Sequence, residues 1–289
     1  MPPVFPKGSL VDRLIEIAID EDLSHGDVTS RCAIPNGHRS FAKIIAREEL
    51  IICGIPILNR IAELANSEIR WEALVAEGAF VKPEQSVAEA IGESRELLAL
   101  ERMMLNFLQR LSGVATHTAS LVSQSHGVVL LDTRKTTPGW RSLEKYATRI
   151  GGARNHRSNL SEMILIKNNH IDAQEGNIAR LFEQVNRERP WHIPVECEVR
   201  TKEELSAILP FKPDFILLDN MNDLLIAECL AEMKKVGYRG GVEVSGGVTV
   251  ERFQALADQG VVAASLGSLT TQARSVDISM RVRSVQALV

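Results

Sequence analysis

Eight basic side chains fall between Arg134 and His170: Arg134, Lys135, Arg141, Lys145, Arg149, Arg154, Arg157 and Lys167. Only two acids, Glu144 and Glu162, share that stretch, in a 289-residue chain whose formal net charge is −4. The placement of these cations is more telling than their number. Arg134 and Lys135 follow the apolar run Val128–Leu131 almost directly, and Lys167 closes the run Met163–Ile166. A cation at the end of a buried strand is costly unless an anion meets it. The pattern therefore predicts a site for a polyanionic small molecule.

Other chemistry-bearing residues recur at the same kind of position. Apolar runs of strand length are read at 128–132, 163–167, 194–199, 214–219, 241–245 and 262–266. At or just past their carboxyl ends stand Asp132/Arg134/Lys135, Lys167, Glu198, Asp219, Ser245-Gly246-Gly247 and Gly267-Ser268. Arg and Lys can hold carboxylates or phosphates. Glu198 and Asp219 can accept from sugar hydroxyls or hold a hard cation such as Mg²⁺. The glycine segments let backbone N–H groups approach a phosphate closely. Each feature alone is compatible with a turn, a helix cap or, for His156 and His170, a core histidine. Six successive strand ends with polar or glycine residues make a more specific pattern, suited to a phosphorylated sugar and a second anionic reactant.

Helical segments at Ile178–Glu188, Lys202–Ile208, Asn222–Val236 and Val250–Gln259 separate most of these strands. Alternation of helices with continuously apolar strands predicts a parallel sheet buried on both faces. A barrel-like α/β domain with its site at the carboxyl-terminal rim accounts for the ladder. An open doubly wound sheet is the alternative, and no Gly-x-Gly-x-x-Gly follows an early strand to support it. Upstream, Leu10–Asp20 is predicted helical, with Leu10, Leu14, Ile17 and Ala18 on one stripe. Between about Phe41 and Gly92, short alternating segments predict a small, mostly antiparallel sheet with one or two helices, Glu77–Pro83 forming a turn between strands. A long helix is predicted from about Glu96 to Leu111. Its apolar stripe is Leu97, Leu100, Met104, Phe107, Leu108 and Leu111, and its other face carries Arg102, Asn106, Gln109 and Arg110. On spacing alone that second face is a solvated one.

Composition narrows the classes. A pI near 6.0 argues against a nucleic-acid partner despite the basic stretch. The four cysteines, Cys32, Cys53, Cys197 and Cys229, are scattered without zinc spacing and suit buried thiols in a reducing cytosol. Residues 1–10 lack the apolar core of a signal peptide, and no apolar run approaches the ~20 residues of a membrane span. A cytoplasmic protein that does not bind membranes is expected.

Several segments, taken together and in order, resemble the quinolinate phosphoribosyltransferases. They are His25–Thr29, Glu101–Thr116, Asp132-Thr-Arg-Lys-Thr-Thr-Pro-Gly139, Asn155-His-Arg157, Leu165-Ile-Lys-Asn-Asn-His-Ile171, Glu196-Cys-Glu-Val199, Leu217–Met221 and Glu243–Val248. The resemblance implies an amino-terminal α/β sandwich domain (1–112, with a tail from about 273 to 289 packing back on it) and an incomplete parallel α/β barrel (113–272). It implies transfer of phosphoribosyl from 5-phosphoribosyl-1-pyrophosphate to quinolinate with decarboxylation, giving nicotinate mononucleotide, pyrophosphate and CO₂. It also implies a homodimer, or a higher assembly, in which one subunit's helix completes the other's site. Arg102 of a partner subunit, with Arg134, His156, Arg157 and Lys167, would hold the two pyridine carboxylates. Lys135 and His170 would face the phosphoribosyl group, Thr136 would also bind substrate, and Glu198 and Asp219 would hold the ribose hydroxyls or Mg²⁺. Ser245, Gly246 and Gly247, with Leu266, Gly267 and Ser268, would hold the 5′-phosphate. Lys135, Glu198 and Asp219 are the expected catalytic groups, Mg²⁺ the expected cofactor, and no organic cofactor is implied. The family pattern usually has glycine at Ala153 or Arg154, Gly-Leu at Asn159-Leu160 and an acid at Asn168. Losing that acid makes the ground beside Lys167 more positive. A paralogous phosphoribosyltransferase for a related anionic substrate is the neighbouring alternative.

Overall fold

The computed structural model describes residues 3–285. Residues 1–2 of the expected sandwich domain and 286–289 of the expected tail lie outside them. The chain divides into two compact units. The first contains the described residues up to Ser120, Lys135–Ala153 and those from Ser268 onward; the second contains Leu121–Arg134 and Arg154–Gly267.

In the first unit, helices α1 (Ser9–Leu23) and α2 (Val28–Ala33) lead into strand β1 (Arg39–Ala46). A four-stranded antiparallel sheet runs in the order β12 (Ile278–Ser284), β1, β5 (Ser86–Glu93), β3 (Trp71–Ala73), with Ala42 opposite both Val282 and Ala90. Strands β2 (Leu50–Ile51) and β4 (Phe80–Val81) form a separate pair, and α3 (Ile55–Leu64) lies between β2 and β3 in sequence. Alternation explains β1, where Ser40, Ala42 and Ile44 are buried and Phe41 and Lys43 are partly exposed. In α1 the buried residues are Val11 and Ile15, while Leu10 and Ile17 are exposed. The expected stripe is thus rotated by about one position, because Val11 and Ile15 join the core with Leu14 and Ala18 at its margin.

The long helix α4 (Ser94–Ser123) buries every residue of its expected apolar stripe, but runs twelve residues past Leu111. Ser112-Gly113 reads as a stop in sequence, yet both residues serve packing. Ser112 Oγ accepts from Cys53 N–H at 2.9 Å and donates to the Cys53 carbonyl. A Cβ at Gly113 would lie 2.0 Å from the Arg274 carbonyl oxygen, so only glycine lets that backbone pass. The polar face of α4 also differs from a solvated one. Gln109 donates to the Ile278 carbonyl at 2.9 Å, and Arg110 donates to the carbonyls of Thr270 and Ala273 and to the fully buried Glu144 carboxylate at 2.6 Å. Arg102 and Asn106 remain exposed. Helix α5 (Arg141–Ile150), which the apolar pattern did not single out, supplies Glu144 and ends at Gly151, whose Cβ would clash with the Ala115 carbonyl at 2.5 Å.

The second unit is a six-stranded parallel sheet in the order β6 (Val129–Leu131), β11 (Ala263–Ser265), β10 (Gly241–Ser245), β9 (Phe215–Asp219), β8 (Val195–Val199), β7 (Ile164–Ile166). All six apolar runs form the expected strands. Strands β6 and β7 sit at opposite ends of the order, so the barrel is incomplete. Short α6 (Asn168–Asp172) follows β7, and helices α7 (Ile178–Glu188), α8 (Lys202–Ile208), α9 (Asp223–Lys235) and α10 (Val250–Asp258) provide the crossovers. Asn177, Thr201 and Asn222 cap α7, α8 and α9 by accepting backbone N–H groups of the first turn. The chain re-enters the first unit at α11 (Ser268–Thr271).

Candidate active site

Asp132, just beyond β6, is fully buried and organises the basic stretch. It accepts from the Asn155 amide and, at 2.9 Å, from the backbone N–H of His156. The segment from Arg154 runs beside β6 by mutual hydrogen bonds, Arg154 N–H to the Leu130 carbonyl and Asp132 N–H to the Arg154 carbonyl. Chain separation of more than twenty residues is thereby closed, and Arg157 comes close enough to Arg134 for their charges to repel. Burial first, then repulsion from Arg134, weakens the hold of Arg157 on its proton, while Glu196 acts in the opposite sense. Arg157 Nη1 donates to the Met163 carbonyl at 2.9 Å. Arg134 Nε is buried with no hydrogen-bond partner among the described residues. A buried, unused guanidinium donor with a second guanidinium close enough to repel it is an environment that an anion would stabilise.

His156, expected to help hold the pyridine carboxylates, also meets two acids to which the sequence assigned no role, Glu196 and Glu243. His156 Nε2 is 3.0 Å from Glu196 and 3.6 Å from Glu243, and both carboxyls are buried. Burial first, then repulsion from Glu196, pushes the Glu243 carboxyl up to about 7, with His156 opposing the shift. The three ligand atoms lie within 4.8 Å of one another, close enough to cage an ion. His156 Nδ1, however, accepts the Arg157 backbone N–H at 2.7 Å, so the ring proton sits on Nε2 and points at Glu196. In that tautomer the Nε2 proton would have to leave before a metal could bind there. The available signal was an acid in the middle of a buried strand, as Glu196 and Glu243 are, rather than at its end.

The remaining rim groups line up by strand. Lys167 Nζ is 3.3 Å from Glu198, which is 8% exposed. His170 Nδ1 accepts the Lys167 backbone N–H at 2.9 Å and fixes the first turn of α6. Asp219 is half-buried, and Asn220 after it donates its N–H to the Ser245 carbonyl at 2.8 Å. Gly246 and Gly247 both have positive φ; a Cβ at Gly246 would meet Asn220 N at 2.8 Å, so the loops after β9 and β10 stand back to back. Leu266 N–H donates to the Leu131 carbonyl, joining the end of β11 to the end of β6, and Gly267 follows. These groups, with Arg134, His156 and Arg157, all belong to the parallel-sheet unit.

Arg102, Lys135, Thr136 and Ser268 belong to the other unit. There the Lys135 carbonyl accepts from Thr270 Oγ1 at 2.6 Å, Thr136 Oγ1 accepts from Arg141 at 3.2 Å, and Arg102 is exposed. The two acids of the basic stretch are also accounted for. Glu144 accepts from Arg110 and Thr137, and Glu162 ties down Ser158 and Asn159. Neither neutralises the Arg134–Arg157 pair.

Residues 27–112 match the description "Quinolinate phosphoribosyl transferase, N-terminal domain", and residues 114–281 match "Quinolinate phosphoribosyl transferase, C-terminal domain". The chain belongs to the quinolinate phosphoribosyltransferase family. Among family members, a chloroplastic nicotinate-nucleotide pyrophosphorylase [carboxylating] of Oryza sativa is 31% identical over 99% of this chain and 81% of its own length. A probable nicotinate-nucleotide pyrophosphorylase [carboxylating] of Synechocystis is 33% identical over 96% of this chain and 94% of its own. The solved nicotinate-nucleotide pyrophosphorylase of Francisella tularensis is 33% identical, superposes with a TM-score of 0.87 and covers 98% of this chain and 100% of its own. The family fold, a separate antiparallel-sheet domain and a parallel α/β domain, is the one described above. Among the described residues, no helix is long and apolar enough to cross a membrane.

Proposed function

We propose that the chain transfers the phosphoribosyl group of 5-phosphoribosyl-1-pyrophosphate to the ring nitrogen of quinolinate, with loss of CO₂, giving nicotinate mononucleotide and pyrophosphate in NAD biosynthesis. The observation that carries this reading is the buried, unpartnered Nε of Arg134, with the Arg157 guanidinium close enough to be repelled by it. Quinolinate has two adjacent carboxylates. A dianion can neutralise both guanidiniums in a half-buried site, where a monoanion leaves one unmatched. Lys167, already beside Glu198, adds a third cation at the same rim, and Arg102 of a partner subunit would add a fourth.

Departure of pyrophosphate leaves positive charge at the ribose C1′. Carboxylates held close to that carbon stabilise it electrostatically, the role proposed for Glu198 and Asp219. Both offer hard oxygen donors at neighbouring strand ends, which suits a magnesium ion arriving with the pyrophosphate; such an ion would neutralise leaving-group charge. Lys135 and His170 would face the phosphoribosyl group, and the Ser245–Gly247 and Leu266–Gly267 loops its 5′-phosphate. Nitrogen attack turns the pyridine into a pyridinium, an electron sink beside the 2-carboxylate; CO₂ then leaves from that position, and the electron pair left on C2 takes up a proton from solvent. A homodimer with shared sites fits the exposure of Arg102. Four free thiols, three of them buried, suit a reducing cytoplasm. The test is turnover of quinolinate and phosphoribosyl pyrophosphate read as pyrophosphate release, with nicotinate as the comparison acid. Equal use of the two acids would overturn the dianion reading.

A further inference from the structure

Arg252, in the first turn of α10, has no role assigned above, yet it joins the two loops that carry several of the assigned groups. Its Nε donates to Asp223 Oδ1 at 2.9 Å, and Nη2 donates to the same oxygen at 2.6 Å and to the Met221 carbonyl at 2.8 Å. Nη1 donates to the Gly247 carbonyl at 3.0 Å. One planar guanidinium therefore grips the loop after β9, the start of α9 and the loop after β10 together. We infer that Arg252 is a positioning residue for phosphoribosyl pyrophosphate, acting through the Ser245–Gly247 loop; this rests on the proposed function above.

The chemistry of the loop gives the reason. Two successive residues with positive φ, Gly246 at 73° and Gly247 at 60°, have a conformation that L side chains rarely adopt, and a loop so composed is loose unless held from outside. Its peptide groups have two ends. A phosphate is attracted by the N–H ends and repelled by carbonyl oxygens. Arg252 takes the Gly247 carbonyl and the Met221 carbonyl, fixing both in hydrogen bonds of their own. Its charge is matched by Asp223, so the grip adds little net field at the rim. On the other side, the Asn220 N–H to Ser245 carbonyl bond and the close approach of Gly246 to Asn220 leave the loop no room to shift toward β9. Lysine would not replace this arrangement. A single ammonium cannot reproduce a fork that spans two carbonyls and a carboxylate.

The experiment compares wild type, Arg252→Met, Arg252→Lys and Asp223→Asn in steady-state turnover and in calorimetric binding of ribose 5-phosphate. Misplacement of a binding group by ~1 Å costs on the order of a hundredfold. Arg252→Met is expected to raise KM for phosphoribosyl pyrophosphate at least tenfold and to weaken ribose 5-phosphate in proportion, with KM for quinolinate within twofold. Arg252→Lys should recover part of the loss, and Asp223→Asn should show a smaller loss of the same kind. Unchanged constants in Arg252→Met overturn the inference. So does an equal rise in both KM values with a lowered melting temperature, which is what a merely structural residue would give. If wild type binds ribose 5-phosphate but does not turn over quinolinate, the proposed reaction fails while the positioning role is still decided by Arg252→Met binding. If wild type does not bind ribose 5-phosphate at all, Arg252 has no phosphate site to arrange and the inference falls.

Discussion

At the scale of single residues, the proposed site is marked by Arg134, whose buried Nε has no partner among the described residues, and by the nearby charge of Arg157. Nicotinate in place of quinolinate would leave one cation of the Arg134–Arg157 pair unmatched, at a cost of roughly 2–5 kcal/mol by analogy with broken buried charge pairs. At ~1.4 kcal/mol per tenfold, kcat/KM should favour quinolinate by about thirtyfold to several thousandfold. Arg157→Ala should abolish that preference along with most turnover, while circular dichroism and the melting curve stay close to wild type. Glu243 allows a separate test by pH. Its folded pKa lies above the ordinary carboxyl value, at about 7 against 4.5, so the folded state holds a proton that the unfolded state releases. Stability from this group is therefore fully present below pH 4.5 and is lost as pH rises through about 7. Glu243→Gln, which keeps a neutral side chain at every pH, should gain melting temperature relative to wild type at pH 8 and gain little at pH 5. An equal change at both values would mean that Glu243 is already ionised in the folded protein.

At the scale of elements, the strands and crossover helices were legible because each is written in one local pattern. The six parallel strands are continuous apolar runs, and α7 and α8 begin and end where their periodicity does. Two things were not legible, and both depend on partners distant in the chain. Ser112-Gly113 looks like a helix end until Cys53 and Arg274 are brought beside it. The buried ion pair of Arg110 with Glu144 looks like two surface charges until α4 and α5 pack together. The same holds for the site, where Asp132 draws His156 and Arg157 to β6, and Glu196 and Glu243 acquire meaning only through His156. These long-range dependencies make strong predictions. Arg110→Met would leave the fully buried Glu144 without its cation and should cost on the order of 3–5 kcal/mol in urea unfolding. A loss under 1 kcal/mol would show that Thr137 alone satisfies that carboxylate.

At the scale of the whole molecule, the question is whether one chain suffices. Arg102 and Asn106 are exposed on a helix whose later polar residues on that face, Gln109 and Arg110, are committed to internal bonds. A shared site predicts that mixing inactive Arg102→Ala and Lys135→Ala proteins under conditions of subunit exchange restores activity, through hybrids with one intact site. Exchange proven by mass spectrometry with no activity regained would confine Arg102 to its own chain. The pairing of β1 with β12 has a consequence for how such a chain is made. Ala42 lies opposite Val282, so an edge made earlier in synthesis waits for a segment far later in the chain to emerge before it is covered. Closing so long a loop adds little equilibrium cost, since that cost grows only with the logarithm of length. The delay is kinetic. While the ribosome works, β1 presents unpaired N–H and C=O groups to any neighbouring strand, its own nascent copies included. Slow translation or premature termination upstream of Ile278 should therefore yield aggregates rather than a soluble, less active protein.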